Sequence, residues 1–166
     1  MKSFVEVSGR VSSKLKEFAA KVALGCIKCM SQPDKLEVAI KFVSEREIKR
    51  INNEYRGIDK VTDVLSFPAT DLSVGETLDL DDEDVAYLET DKGLIHFGDM
   101  AICYVQLKRQ AKEYGVSIEQ ELKKLIIHSM LHFMGYDHIK DSDYEIMNKK
   151  EVVLDSLIKV KLKVED

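Results

Sequence analysis

The sequence predicts an α/β (α+β) fold in which one small mixed sheet of about four strands packs with about five helices. Three observations predict it. Short stretches alternate apolar and polar residues, as half-buried strands do. Longer stretches repeat apolar residues at helical spacing. The two kinds interleave in the order β-α-β-α-β-loop-β-α-α-α, which is the pattern of helices covering a sheet. With 166 residues, only two prolines and eight glycines, and no internal repeat, the chain reads as one domain, 1–166, large enough for an ordinary core.

Residues 2–7 alternate as a short strand, and from Ser12 to about Met30 the side chains Leu15, Phe18, Ala19, Val22 and Ile27 recur on one helical face. Pro33-Asp34 breaks that helix. Leu36, Val38, Ile40 and Phe42 then mark a strand from Leu36 to Val43. Ser44-Glu45-Arg46-Glu47 has the spacing of a capping box and predicts a helix to about Tyr55. A loop holding Arg56, Gly57 and Asp59 leads to the strand Asp63-Val64-Leu65-Ser66-Phe67, closed by Pro68. After an acidic stretch, Leu94 to Cys103 reads as a strand interrupted at Gly98-Asp99, where a bulge or a close backbone approach is expected. Tyr104–Tyr114 is helical and ends at Gly115. Ser117-x-x-Gln120 caps a helix to Met134, with Gly135 as its left-handed terminus. Asp141 is expected to cap a last helix to about residue 160.

Composition narrows the function classes. Met1–Arg10 has no apolar h-region or cleavage site, and no apolar run approaches the ~20 residues that cross a bilayer. A cytoplasmic protein without a membrane partner is expected. The cysteines number three, so they form no disulfide framework. Cys26-Ile-Lys-Cys29 has redox spacing but falls on an amphipathic helix without the strand and turn of a redox motif. Net charge is −5, yet the segment 70–91 carries nine acidic residues and no Lys or Arg; removing them leaves 21 acids against 25 bases, so the remainder is +4. The acidity belongs to one long exposed loop. It does not exclude a nucleic-acid partner. Arg46, Lys49 and Arg50 on one helix, and Lys108, Arg109 and Lys112 on another, are more simply solvated faces than RNA guides.

The helix 117–134 is apolar nearly all round from Leu125 onward, so it is expected to be central and buried. His128 and His132 lie four residues apart on one face. Gly135 can reverse the chain and return His138 to that face. The pattern His-x3-His-x2-Gly-x2-His offers three nitrogen ligands from one segment, the donor set of a catalytic zinc site that leaves a position for water, whose pKa falls toward ~7. Other divalent transition metals suit the same imidazoles. With Glu after the first histidine this would be the metzincin protease signature; here Ser129 stands in that place, and a hydroxyl cannot serve as the proton acceptor. His96 on its strand and Asp137 in its turn read as ordinary, although Asp137 is also placed to orient a ligand histidine.

Three blocks resemble one family. His128-Ser-Met-Leu-His132-Phe-Met-Gly-Tyr-Asp-His138 is similar to the His-Gly-x-Leu-His-Leu-x-Gly-Tyr-Asp-His signature of the YbeY family, bacterial rRNA-maturation endoribonucleases. Asn53-Glu-Tyr55-Arg56-Gly-Ile-Asp59-Lys-Val-Thr62-Asp63-Val-Leu-Ser66-Phe67-Pro68 looks like its Tyr-Arg-x-x-Asp-x-x-Thr-Asp-Val-Leu-Ser-Phe-Pro segment. Gly98-Asp99-Met100, Gln110-Ala111 and Glu121-Leu122 follow at the family's spacing. The likeness spans about residues 36–154. It implies a metal-dependent single-strand endoribonuclease that matures the 3′ end of small-subunit (16S) rRNA and serves ribosome quality control. His128, His132 and His138 would hold the zinc, Arg56 would meet the phosphate as a catalytic residue, and rRNA, the small subunit or ribosomal proteins would be the partners. The chain departs from the family at Ser129, where the family has glycine, at Phe133, where it has an aliphatic residue, and in the acidic stretch. The competing readings are a zinc metallopeptidase-like hydrolase with the same cage and a non-catalytic ribosome-associated factor.

Overall fold

Period-two alternation becomes strand and helical spacing becomes helix in a computed structural model that describes residues 2–162; Met1 and 163–166, the two ends of the expected domain 1–166, lie outside the described residues. The elements are β1 (Phe4–Ser8), α1 (Ser13–Cys29), β2 (Leu36–Val43), α2 (Glu45–Arg56), β3 (Val64–Pro68), α3 (Glu83–Ala86), β4 (Ile95–Cys103), α4 (Tyr104–Tyr114), α5 (Ile118–Phe133) and α6 (Asp141–Leu157). The strands form one mixed sheet in the order β1-β2-β4-β3. β1, β2 and β4 run parallel, and β3 pairs antiparallel with β4 at the sheet edge.

Alternation along β4 divides the core. Met100 and Ile102 join the main cluster with α1 and α5, while Ala101 and Cys103 face the other way into a small cluster with Ile48 of α2 and Leu65 of β3. The sheet is therefore covered on both faces, α2 lying on one and α1 and α5 on the other. α5 packs against α1, α4, α6 and β3, as expected of a helix without a polar face.

Local chemistry sets most of the ends. Ser12, Ser44 and Ser117 each accept a backbone N–H from the third residue on, satisfying a donor the helix cannot use. Only Ser117 completes a capping box, with Gln120 reaching back; the Glu47 carboxylate turns to Arg50 instead. The bulge expected near Gly98 is present: Glu37 pairs with His96 and Val38 with Gly98, leaving Phe97 as the extra residue. Close approach is present too, because a Cβ on Gly98 would lie 2.7 Å from the Phe133 ring.

Three expectations need correction. Arg56 is the last residue of α2, not part of the loop, and Gly57 is its left-handed terminus with φ 69°. Asp141 is the first helical residue of α6; Lys140 holds the cap position and no side chain caps it. The acidic stretch is mostly exposed but anchored. Leu78 and Val85 enter the main core, Asp82 caps the four-residue α3, and the Gln32 amide ties Leu78 N–H and the Glu76 carbonyl at 3.0 and 3.1 Å.

Candidate metal centre

From Leu125 to its end α5 is buried except where His128 and His132 emerge. Met134 caps the helix and Gly135 follows at φ 91°. No other residue fits there, since a Cβ would stand 2.3 Å from the Leu72 carbonyl oxygen as well as requiring a left-handed backbone. That reversal brings His138 back. One ligand nitrogen from each of His128, His132 and His138 lies within 4.8 Å of the others, a group that could hold a metal ion.

The hydrogen bonds show why this donor set suits a cation. His132 Nδ1 lies 2.9 Å from the Tyr136 carbonyl oxygen, which can only accept, so Nδ1 carries the proton. His128 Nδ1 lies 2.6 Å from Glu151 Oε1, an acceptor when ionised. With the proton on Nδ1, each neutral ring turns an Nε2 lone pair inward, and the two Nε2 atoms stand 3.1 Å apart. Two lone pairs at that separation repel unless a positive centre lies between them. Burial, reinforced by His128, holds the His132 pKa down to about 4. At neutral pH the ring is uncharged, the form that ligates.

The histidines line an open cleft of about 680 Å³ together with Tyr55 and Arg56, residues Thr62–Phe67, Gln110, Tyr114, Glu121, Lys124 and Leu125. Sequence blocks far apart meet here. Asp63 accepts from Val64 N–H at 2.7 Å and from Gln110 Nε2 at 3.0 Å, joining β3 to α4. Ser66 and Ser129 hydroxyls bond at 2.7 Å, joining β3 to α5. Ser129 is wholly buried, so the hydroxyl that replaces the family's glycine is satisfied, not crowded. Phe133 covers Gly98 and meets Phe97 edge-on. Arg56 is exposed in the cleft and makes no ion pair among the described residues.

Glu121, in the first turn of α5, is 2% exposed, and its Oε2 has no hydrogen-bond partner among the described residues. Burial raises its pKa against the pull of Lys124, whose Nζ is 4.0 Å from Oε1, and the Asp63 charge raises it further.

Glu151 escaped the sequence reading. It lies on α6, 23 residues past the histidine it binds, and nothing in its spacing distinguishes it from other α6 acids. Ligand histidines do require an acceptor at the second nitrogen, so an acid on a helix packed against α5 was the thing to seek. Asp137 instead accepts Ile139 N–H at 3.2 Å, a turn role. His96 pairs with Asp99 at 2.8 Å, outside the cleft lining. Cys26 is buried, which pushes its thiol pKa up, and Cys29 is exposed. The basic residues of α2 and α4 are largely engaged: Arg50 with Glu47 and Glu54, Arg109 with Glu45, and Lys108 over the Tyr104 ring.

The family model described as Endoribonuclease YbeY matches residues 5–158. The chain belongs to that family. Among curated relatives, an Endoribonuclease YbeY of Caldicellulosiruptor saccharolyticus is 38% identical over 135 residues, 81% of each chain. Another from Finegoldia magna is 44% identical over 118 residues, covering 71% of this chain and 66% of the relative. The solution structure of the Thermotoga maritima protein TM1509 superposes with a TM-score of 0.59 at 25% identity, covering 93% of this chain and 88% of that one. No helix among the described residues is long and apolar enough to cross a membrane.

Proposed function

We propose that this member of the YbeY family is a metal-dependent, single-strand-specific endoribonuclease. It matures the 3′ end of 16S rRNA and takes part in ribosome quality control in the cytoplasm, in contact with the small subunit or its proteins. His128, His132 and His138 hold one zinc ion, and Arg56 is the catalytic residue that meets the scissile phosphate. The observation that carries this reading is the pair of facing Nε2 atoms, 3.1 Å apart, in a cleft that also holds a guanidinium with no ion pair among the described residues.

When bound, zinc supplies Lewis acidity toward a phosphoryl oxygen and lowers the pKa of water. The chain's own residues do the rest. Glu151 and the Tyr136 carbonyl keep the ring protons on Nδ1 and the lone pairs pointed into the cleft. Arg56 offers a fork of N–H donors to phosphate oxygens and counters the charge that grows on them. A peptidase reading gains no support, because the hydroxyl at the position of the metzincin base is buried and committed to Ser66.

The test is cleavage of a labelled single-stranded rRNA 3′ fragment by wild type, by wild type with chelator, and by folded His132→Ala. Cleavage by untreated wild type alone is expected. Equal cleavage by all three would remove the histidines from the reaction. Product ends then separate routes: a 2′,3′-cyclic phosphate indicates attack by the ribose hydroxyl and rules out direct attack by water.

A further inference from the structure

The cleft carries aromatic surface that the core does not use. Tyr55 and Tyr114 both line it, yet they are 67% and 57% exposed. Tyr55 directly precedes Arg56 at the end of α2. Its ring meets Phe67 of β3 edge-on, with centroids 5.2 Å apart and planes at 65°. Phe67 packs against the small cluster under α2. The contact therefore braces the Tyr55 ring while leaving most of it in water. Tyr114, at the end of α4, has the Lys124 ammonium 5.5 Å from its ring centroid. Tyr114 thus stands beside a cation, and Tyr55 shares the cleft with Arg56, the next residue of α2.

Rings held rigid, exposed and next to cations are how proteins bind unpaired nucleotides. The base stacks on the ring and its phosphate meets the charge. A duplex offers no free base face, since its bases already stack on one another.

We infer that Tyr55, braced by Phe67, is a stacking platform for the unpaired base beside the phosphate met by Arg56, with Tyr114 and Lys124 forming a second platform on the same cleft. This rests on the ribonuclease reading and deepens it: the platform makes the cleft select single strands, and it tolerates any base because every base has a π-face. Tyr55 is a positioning residue, acting on substrate placement and not on the reacting atoms.

The experiment measures cleavage of short single-stranded RNAs by metal-loaded wild type, Tyr55→Ala and Tyr55→Phe. One strand is intact, and the others carry a single abasic nucleotide at successive positions. In wild type, an abasic site next to the cleaved bond is expected to lower kcat/KM at least about fivefold, chiefly through KM. Tyr55→Ala should lose a similar factor on the intact strand and little more on that abasic strand, because both changes remove the same contact. Tyr55→Phe keeps the ring and should match wild type. Penalties that multiply, or a Tyr55→Ala enzyme with unchanged KM, overturn the platform and leave the ribonuclease reading standing. Failure of wild type to cut any single strand overturns both.

Discussion

The two chemical ends of the cleft are built in opposite ways. At the histidine end, His128 and His132 project from the buried half of α5 and His138 returns from the turn after it, and each of the two helical rings has its Nδ1 committed to a fixed acceptor. At the α2 end, Arg56 is exposed and makes no ion pair among the described residues, and Tyr55 is braced on one side only. The difference is what the proposed function asks of each end. An ion has no shape of its own, so its lone pairs must converge before it arrives. An RNA strand brings its own bulk and charge, and a surface committed to internal salt bridges would have to break them first.

Crossing two variants tests that division most strongly. Glu151→Gln keeps an acceptor for His128 Nδ1–H but removes its charge, so metal affinity should fall about 10–100-fold, read by competition with a chromophoric chelator. Cleavage should recover at saturating metal. Arg56→Ala should instead lower kcat/KM about 10–100-fold, the loss of a charge-assisted hydrogen bond to phosphate, with metal affinity unchanged. If Arg56→Ala also weakened metal binding, or if saturating metal failed to rescue Glu151→Gln, the ends would be one coupled unit.

A smaller effect belongs to the seam that fixes the histidine end to the sheet. Ser129→Ala removes the 2.7 Å bond to Ser66. The lost bond costs about 1 kcal/mol, and alanine's better helix propensity returns about half of that. A net loss of roughly 0.5 kcal/mol in a urea titration, with the metal affinity of wild type, is expected. A loss of metal affinity would show that the seam positions the ligands and does not only stabilise the fold.

The histidine end was legible in the sequence because its geometry is local. His128, His132, Gly135 and His138 sit within one helix and one turn, where spacing alone decides direction. Strands and helices were legible for the same reason, β2 and α4 to the residue. The Glu151 contact and the Ser66–Ser129 bond were not, because each joins elements whose relative placement is settled by packing. Arg56 stands out in the sequence only through family resemblance, and its place at the end of α2 is not legible there, because the glycine after it ends a helix as readily as it opens a turn. The acidic stretch misled by composition. Its charges are solvated as expected, but the buried side chains Leu78 and Val85, with Leu72 and Leu88 packed beside them, tie it to the core.

Glu121 belongs to neither end, and its carboxyl is expected to show the smallest and most specific effect. A helix N-terminus favours negative charge, yet burial wins and the pKa is raised from 4.5. Between the ordinary value and the raised one, the folded chain holds a proton that the unfolded chain releases. Its contribution to stability is therefore fully present below pH 4.5 and is lost as pH rises through the folded pKa. Glu121→Gln cannot ionise and escapes that loss. The melting temperature of Glu121→Gln minus that of wild type should therefore increase from about pH 4 to about pH 8. A difference that stays flat across this range would mean that the carboxyl is solvated well enough to ionise freely. A difference that decreases would mean that the ionised form is the one the fold favours, with Lys124 outweighing burial.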